Sequence, residues 1–215
     1  MTMSRWPLSG LCLTTPRLEL RWPALADLHA LADLAAVGIH VPDVQPFGVA
    51  WTDMPPDERA RAVLQYHWSK WGSWTPSDWS LDLVVRLGGT VVGAQGLDGR
   101  DFAILREVST GSWLGRDYQG QGFGTEMRAA VLFLAFEGLH AEYATSGAFD
   151  DNAASLAVSR KLGYTDDGIE RQVSRGRPAT VRRLRLDRAV WAARRSVPVE
   201  IHGLEACLPF FGIAG

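Results

Sequence analysis

The stretch Trp113-Leu-Gly-Arg-Asp-Tyr-Gln-Gly-Gln-Gly-Phe-Gly-Thr-Glu-Met127 decides how this sequence is interpreted. It places Gly120, Gly122 and Gly124 between a predicted strand and a predicted helix. Backbone N–H groups at a helix start have no partner inside the helix, and they lie at the positive end of its dipole. Because glycines carry no Cβ atom, an anion can approach these N–H groups closely. The stretch therefore predicts a cradle for a pyrophosphate.

Two common phosphate-binding loops do not match this stretch. A nucleoside triphosphate loop needs Gly-Lys-Ser/Thr, whereas Gly124 is followed directly by Thr125. A dinucleotide fingerprint needs a third glycine at position 125, where this chain has threonine. A glycine-rich turn that serves only the fold is the alternative to a ligand site.

Hydrophobic periodicity predicts alternating strands and helices around this loop. Gly88-Gly89 predicts a two-residue hairpin turn, and Gly111 within a strand suggests a bulge or a close approach of a ligand. The predicted order is βα(α)βββαβαββ, which indicates an α/β sheet of mixed direction. The predicted strands are 17–21, 79–87, 90–97, 108–114, 143–148, one beginning at 164, and 180–186. The predicted helices are 23–37, 57–71, 122–138 and one that Asp151-Asn152 caps and Gly163 ends. The last is expected to turn Ala154, Val158 and Leu162 inward.

Composition excludes several classes of protein. The 215 residues are 47% hydrophobic and 21% charged, which is enough apolar material for a core and argues against disorder. No run approaches the ~18 apolar residues of a membrane helix, and the first residues show no secretion signal, so we expect a cytoplasmic protein. Cys12 and Cys207 are expected to be free thiols, and the absence of CxxC and HExxH argues against a metal site.

Three segments resemble motifs of one superfamily: Gln119-Gly-Gln-Gly-Phe-Gly124, Asn152-Ala-Ala-Ser155 and Arg160-Lys-Leu-Gly-Tyr164. Together they resemble the GCN5-related N-acetyltransferase (GNAT) superfamily, in particular its RimJ/RimL-type branch. The chain is also similar to bacterial relatives proposed to use succinyl-CoA. The resemblance covers about residues 15–190, which we interpret as one acyltransferase domain. It implies a mostly antiparallel sheet flanked by helices, in which two splayed parallel strands hold acyl-CoA.

The resemblance also implies which residues bind the acyl-CoA co-substrate. Backbone N–H groups of residues 120–125 would hold the pyrophosphate, the strand ending at Trp113 and Leu114 would pair with the pantetheine arm, and Asn152 would hydrogen-bond that arm. The predicted cofactor-binding residues are Trp113, Leu114, Gln119, Gly120, Gln121, Gly122, Phe123, Gly124, Thr125, Asn152 and Ser155.

The reaction of the superfamily is direct attack of an amine on the thioester, and this sequence has no Gly-x-Ser-x-Gly elbow to suggest an acyl-enzyme. A backbone N–H within residues 112–114 is the expected donor to the oxyanion. Many superfamily members carry a tyrosine acid seven residues after the asparagine, but here that position is Ser159. We therefore predict Ser155 as the group that hydrogen-bonds or protonates the thiolate; first-turn polar surface is the alternative.

Glu107 is the predicted general base. Asp98 and Asp101 follow the hairpin, and for all three acids a solvated loop carboxylate is the alternative interpretation. Trp68 and Trp71 are predicted to line the acceptor site together with Asp101, although a core stripe is the commoner explanation of two tryptophans on one helix face. His67 is expected to be structural. His40, Arg100 and Arg106 are candidates for binding the distal carboxylate of a succinyl group.

Two further segments affect the predicted partners. Residues 171–195 carry nine basic residues and one acidic residue, although the net charge of the chain is −2. A solvated face is the usual interpretation of such a segment, and nucleic acid is an unlikely partner. The apolar tail 191–215 is expected to pack on the domain or on a partner subunit, and an exposed Phe210-Phe211 pair would favour a homodimer or higher homo-oligomer.

The sequence thus predicts an N-acyltransferase that moves an acetyl or succinyl group from CoA to a primary amine on a small molecule or a protein N-terminus. Two alternatives stay open. One is a non-catalytic acyl-CoA sensor, and the other is a module that contacts the ribosome or RNA through its arginines.

Overall fold

A computed structural model describes residues 5–41 and 45–213 of the chain, and these residues form one nine-stranded sheet with helices on both faces. The strands are Cys12–Thr14 (β1), Leu18–Arg21 (β2), Asp78–Leu87 (β3), Thr90–Arg100 (β4), Glu107–Leu114 (β5), Tyr143–Phe149 (β6), Thr165–Ser174 (β7), Arg177–Asp187 (β8) and Glu200–His202 (β9). The helices are Leu25–Val37 (α1), Pro56–Gly72 (α2), Phe102–Leu105 (α3), Phe123–Phe133 (α4), Ala153–Leu162 (α5) and Arg188–Arg194 (α6).

The strand order is β7-β8-β6-β5-β4-β3-β2-β1-β9. β5 and β6 form a parallel pair, and the other neighbouring strands pair antiparallel. The predicted fold class, a mostly antiparallel mixed sheet with one parallel pair, is confirmed. The sheet has two apolar faces: the larger core packs α4 and α5 against the strands, and a smaller cluster packs α1 and α2 against Val84 and Ala94.

The turn between β3 and β4 follows the sequence prediction. Gly88 and Gly89 both have positive φ, 54° and 88°, in the two-residue turn that joins these strands. This conformation is the one that glycine adopts without a steric cost.

Several predicted boundaries and faces are wrong. The pattern of α5 predicted Ala154, Val158 and Leu162 as its inward side. Val158 and Leu162 are half-buried and Leu162 packs against the larger core, but Ala154 is exposed, and the buried residues of that helix are Leu156 and Ser159. The predicted helix 122–138 is α-helical only to Phe133 and ends in one π turn, Leu134–Gly138. Asp98, expected in a loop, is a half-buried residue inside β4. The short strands β1 and β9 were missed because three residues are too few for a visible alternation.

The C-terminal segment packs on the same domain. β9 pairs antiparallel with β1, and the side chains of Cys207 and Phe211 are fully buried in the larger core. Trp74 Nε1 donates a hydrogen bond to the carbonyl of Phe210 at 2.9 Å. The Phe210-Phe211 pair is therefore not an exposed patch, because the second ring is enclosed and the first is half-buried. No helix in the described residues is both long and apolar enough to cross a bilayer.

Candidate functional site

The parallel pair β5–β6 separates part of the way along its length. Backbone pairing runs from Glu107 opposite Tyr143 to Thr110 opposite Ser146, and then it ends. β5 continues along β4 as far as Leu114, while β6 continues along β8 as far as Phe149. The two strands thus diverge and leave a wedge whose edge is the backbone of residues 111–114. An extended ligand with amide groups can pair with such an edge.

The loop after β5 leads into the N-terminus of α4 at this wedge. Gly120 and Gly122 have positive φ, 73° and 83°, and Gly122 is the N-cap residue without any side-chain capping bond. Among the hydrogen bonds of the described residues, none uses the N–H groups of residues 120–124 as donors. Adjacent unpaired N–H groups at the positive end of a helix dipole fit a diphosphate.

Two glutamines of the loop act on the loop itself. Gln119 donates from Nε2 to the carbonyls of Ile39, at 2.7 Å, and Leu114, at 2.8 Å. Gln121 donates from Nε2 to the carbonyl of Asp117 at 2.7 Å. Their Nε2 groups therefore fix the loop against the end of β5, the segment after α1 and the loop's own backbone.

An ion pair missed at the sequence level anchors the first turn of α4. Glu126 is 7% exposed and accepts hydrogen bonds from Thr15 Oγ1, Arg17 N and Arg17 Nε, at 2.7, 3.1 and 2.6 Å. Arg17 also donates to the carbonyl of Gln121 and lies over the Phe123 ring, 4.4 Å from its centre. These contacts join the turn between β1 and β2, the loop and α4.

The opposite wall of the wedge is the N-terminus of α5. Asn152 caps the helix, since its Oδ1 accepts from the N–H of Ser155 at 3.0 Å. Its Nδ2 and the Oγ of Ser155 take part in no hydrogen bond within the described residues, so both remain available to a ligand. The predicted pantetheine contact Asn152 and the predicted acid Ser155 therefore lie on one turn.

Ser159 is fully buried one turn further along α5, and it accepts a hydrogen bond from Nη1 of Arg128 at 2.9 Å. Arg128 also donates from Nη2 to Ser112 Oγ on β5 at 3.2 Å. Burial lowers the pKa of Arg128, yet a guanidinium stays charged in proteins. This buried cation between α4, α5 and β5 was not predicted, because its place within an apolar helix resembled an ordinary surface position.

Comparison with known proteins decides the family. The family model described as "Acetyltransferase (GNAT) domain" matches residues 17–165, which is more than half of the chain. This chain belongs to the GNAT acetyltransferase family.

Solved structures share the GNAT fold at low identity. RimL, a ribosomal L7/L12 alpha-N-protein acetyltransferase in complex with coenzyme A, matches with a TM-score of 0.64 at 18% identity, covering 80% of this chain and 95% of that chain. Mycobacterium smegmatis RimJ in complex with CoA-disulfide matches with 0.67 at 18%, covering 87% and 97%. The microcin C7 self-immunity acetyltransferase MccE, in complex with acetyl-CoA and AMP, matches with 0.61 at 16%, covering 80% and 93%. The expected likeness to RimJ and RimL is thus confirmed in the fold.

On the α2 side of the sheet, this GNAT domain holds one buried and one half-buried carboxylate on β3 and β4, the two strands that follow β5 in the sheet order. Asp82 on β3 is 7% exposed, and Asp98 on β4 is half-buried. Burial first, and then the charge of Asp98, raise the pKa of Asp82 to about 7; Lys70 and the Tyr66 hydroxyl act in the opposite direction. Burial likewise raises the pKa of Asp98, while hydrogen bonds from Ser80 and Ser109 oppose it. The sequence prediction missed Asp82, because it alternates with apolar residues along β3 and so resembles a solvated strand position.

The GNAT domain places Glu107 and Asp101 away from the wedge. Glu107 is the first residue of β5, opposite Tyr143 at the closed end of the parallel pair, about 13 Å along the strand from Gly111 at ~3.3 Å per residue. Asp101 is exposed just after β4, at that same closed end, where its N–H donates to the carbonyl of Ser77.

The predicted acceptor tryptophans have different surroundings. Trp68 is 48% exposed, whereas Trp71 stacks on Trp22 with ring centres 5.0 Å apart and packs against the larger core. His67 is buried edge-on to the Trp71 ring, and burial lowers its pKa to about 4, so it is neutral at pH 7. The α2 side chain that reaches the buried carboxylates is Tyr66, whose hydroxyl lies 3.4 Å from Asp82 Oδ1.

The candidate carboxylate-binding residues lie apart from one another. His40 hydrogen-bonds Val41 and Thr52, Arg100 is exposed beside Asp78, and Arg106 lies over Phe102. Arginines of the basic segment pair within the domain: Arg182 with Asp150, Arg175 with Asp53, and Arg185 over Tyr143. Over the residues described, no group of three potential metal ligands was found.

Proposed function

We propose that this protein is an N-acetyltransferase that moves an acetyl group from acetyl-CoA directly to a primary amine. The observation that carries the proposal is the row of unpaired N–H groups at residues 120–124 beside the wedge of β5 and β6. Family membership supports the acetyl donor. The succinyl donor is the alternative, and the same wedge would hold its CoA portion.

The residues of the chain divide the binding work as follows. The N–H groups of residues 120–124 bind the diphosphate, the free edge at Trp113 and Leu114 pairs with the pantetheine amides, and Asn152 Nδ2 donates to the same arm. A bound thioester supplies an activated acyl carbon and a thiol leaving group. Ser155 donates a hydrogen bond to the sulfur, and a backbone N–H of residues 112–114 donates to the acyl oxygen.

Direct transfer is favoured by the positions of the two cysteines. Cys12 lies on β1, four strands away from β5, and the Cys207 thiol is buried and donates to the carbonyl of Gly203 at 3.2 Å. Burial raises the pKa of both thiols, to about 11 for Cys207. Neither thiol is therefore a suitable nucleophile, since the thiolate is the reactive form.

The test begins with calorimetry of CoA binding and with thiol release from acetyl-CoA and succinyl-CoA against a panel of peptide N-termini and small amines. We expect CoA to bind and at least one amine to be acetylated. Tight CoA binding without turnover on any amine would favour the non-catalytic sensor. Faster turnover of succinyl-CoA than of acetyl-CoA would identify succinyl-CoA as the acyl donor. A steep salt dependence of RNA affinity would support the arginine module.

A matched pair of variants tests the cradle. Thr125 is the third residue of α4, where glutamate is compatible with the helix dipole. Thr125→Glu adds a negative charge next to the diphosphate site, whereas Thr125→Gln adds a neutral side chain of the same size. We expect the glutamate variant to bind CoA at least ~10-fold more weakly than the glutamine variant, with similar melting temperatures. Equal affinities would place the diphosphate elsewhere.

A further inference from the structure

Three residues lie in register across three adjacent strands on the α2 side of the sheet. Asp82 on β3 pairs with Gly96 on β4, and Gly96 pairs with Gly111 on β5. Gly111 is the first residue of β5 beyond its parallel pairing with β6, which ends at Thr110. The row therefore leads from a buried carboxylate directly to the opening of the wedge.

The two glycines keep this row free of side chains. A Cβ atom at Gly96 would lie 2.9 Å from Asp82 Oδ1, so the carboxylate extends over Gly96 in the direction of β5. A Cβ atom at Gly111 would meet no atom within 4 Å, and Gly111 is exposed. Adjacent strands lie ~4.8 Å apart. The space between the carboxylate and the edge of β5 is thus about one strand spacing wide, which is enough for one nitrogen atom hydrogen-bonded to the carboxylate.

The carboxylate of Asp82 lacks the partners that a purely structural buried acid has. Oδ2 is buried and has no hydrogen-bond partner among the described residues, and Oδ1 has only the Tyr66 hydroxyl at 3.4 Å. The titratable groups that face it are Asp98 from β4 and Tyr66 and Lys70 from α2. A buried carboxylate oxygen without a donor is costly, and such costs are found at functional sites.

We propose that Asp82 is the general base of the transferase, and that it binds the acceptor ammonium over Gly111 and removes one of its protons. This inference rests on the proposed function, and it names the residue that recognises the acceptor. Because the site combines the buried Asp82 carboxylate with the half-buried Asp98 carboxylate beside an aromatic hydroxyl, the acceptor that fits is a primary amine that arrives protonated.

The protons balance as follows. The Asp82 carboxylate takes one proton from the ammonium and becomes a neutral acid. The amine nitrogen forms the new C–N bond to the acyl carbon while the C–S bond breaks, and the second proton leaving the nitrogen goes to the sulfur. Asp82 then returns its proton to water. A base is most effective when its pKa is close to the working pH, and the value of about 7 meets this condition.

The experiment compares the pH dependence of kcat/KM in the full-length wild type, Asp82→Asn and Asp78→Asn. Asp78 is an exposed carboxylate on the same strand and serves as the control. We expect the wild-type rate to fall as the pH drops through about 7, at the same pH for amines of different basicity. Asp82→Asn should lower kcat/KM about 10²–10⁴-fold and should abolish this decrease at acidic pH, the acid limb of the profile. Asp78→Asn should keep both the rate and the acid limb of the wild type.

A second variant tests the row without altering the carboxylate. Gly111→Val fills the space over β5, and Gly10→Val is the control at another exposed glycine with no atom near its Cβ position. We expect Gly111→Val to lose at least 10²-fold in kcat/KM with an unchanged melting temperature and with unchanged CoA affinity.

Three outcomes would overturn the inference: Asp82→Asn retaining the acid limb, Glu107→Gln being the variant that loses it, or Gly111→Val turning over like wild type. A wild-type protein that acetylates no amine would instead contradict the proposed function, so that the two failures are distinguishable.

Discussion

Nη1 of Arg128 donates a hydrogen bond to Oγ of Ser159 across 2.9 Å, and both residues are buried. Ser159 occupies the position, seven residues after Asn152, at which the sequence comparison expected a tyrosine acid. Ser159 in turn donates to the carbonyl of Ser155 at 3.1 Å. This side chain is therefore fully engaged in holding α4 against α5 and is not directed at a ligand.

Removal of the Ser159 hydroxyl should destabilise the protein. Ser159→Ala leaves a buried guanidinium donor without its acceptor, and we expect a loss of about 1–3 kcal/mol in the free energy of unfolding. Urea denaturation measures this value. Ser155→Ala is the matched control, since its half-buried hydroxyl has no partner in the described part of the chain, and it should change stability by less than ~0.5 kcal/mol. Equal losses would show that the Arg128 contact contributes nothing.

Ser155→Ala should instead affect catalysis. If Ser155 hydrogen-bonds the departing sulfur, its removal lowers kcat by about 10–100-fold and leaves the CoA dissociation constant nearly unchanged. Thiol-release kinetics and calorimetry separate the two quantities. An unchanged kcat would assign Ser155 to ordinary first-turn polar surface.

Two substitutions of Asn152 separate capping from ligand binding. Asn152→Asp keeps the oxygen that accepts from the Ser155 N–H but loses the Nδ2 donor. We expect Asn152→Asp to raise the KM for acyl-CoA about 5–10-fold without a loss of stability. Asn152→Ala loses both groups, so that about 1 kcal/mol of unfolding free energy should also disappear. If Asn152→Asp bound acyl-CoA like wild type, Nδ2 would have no role in binding.

Glu126 should support the cradle through Arg17. Glu126→Gln replaces a buried acceptor by an amide with a donor directed at the same groups, and we expect a loss of about 1–3 kcal/mol in stability together with weaker CoA binding. The exposed pair of Glu137 with Arg195 provides the control, because surface ion pairs contribute less than ~1 kcal/mol. A Glu126→Gln protein as stable as Glu137→Gln would contradict this anchoring role.

Asp82 should make stability fall as the pH rises. Its folded-state pKa of about 7 lies above the ordinary value of 3.8, so the folded protein binds the proton more tightly than the unfolded chain. Stability from this group is present below pH ~4 and is lost up to pH ~7, by on the order of 4 kcal/mol at ~1.4 kcal/mol per pKa unit. Asp82→Asn removes this dependence. The free energy of unfolding of the variant, measured by urea denaturation, should therefore increase relative to that of the wild type between pH 4 and pH 8. A parallel pH dependence in both proteins would contradict the raised pKa.

The sequence predicted those parts of the fold that local chemistry determines. Gly88-Gly89 needs positive φ, and the loop glycines Gly120 and Gly122 do as well, so the hairpin and the bare helix start were visible in the chain. Long strands such as β3 were visible as well, because their apolar and polar residues alternate along the chain. The burial of Ser159 on α5 was not visible, because this serine is held by a hydrogen bond from Arg128 on another helix, which no local pattern encodes.

The candidate base was missed for a similar reason. Asp82 alternates with apolar residues and therefore resembles a residue on the solvent-exposed face of a strand. Only the register Asp82–Gly96–Gly111 places it in line with the wedge. Glu107 was chosen because it precedes the glycine loop in sequence. Position along a strand decides which end of the wedge a residue reaches, and that position depends on pairing between strands distant in sequence.

The pairing of β9 with β1 also has a consequence for how the chain folds during its synthesis. Cys12 is opposite His202, so the partner of the first strand emerges from the ribosome some 190 residues later. Until then, the backbone groups along one side of β1 are open to pairing with another nascent chain, and the cavity that Phe211 fills beside Trp79 stays open. Completion of the sheet is thus a late event in folding, and chaperone demand should be greatest for chains that stop short of β9.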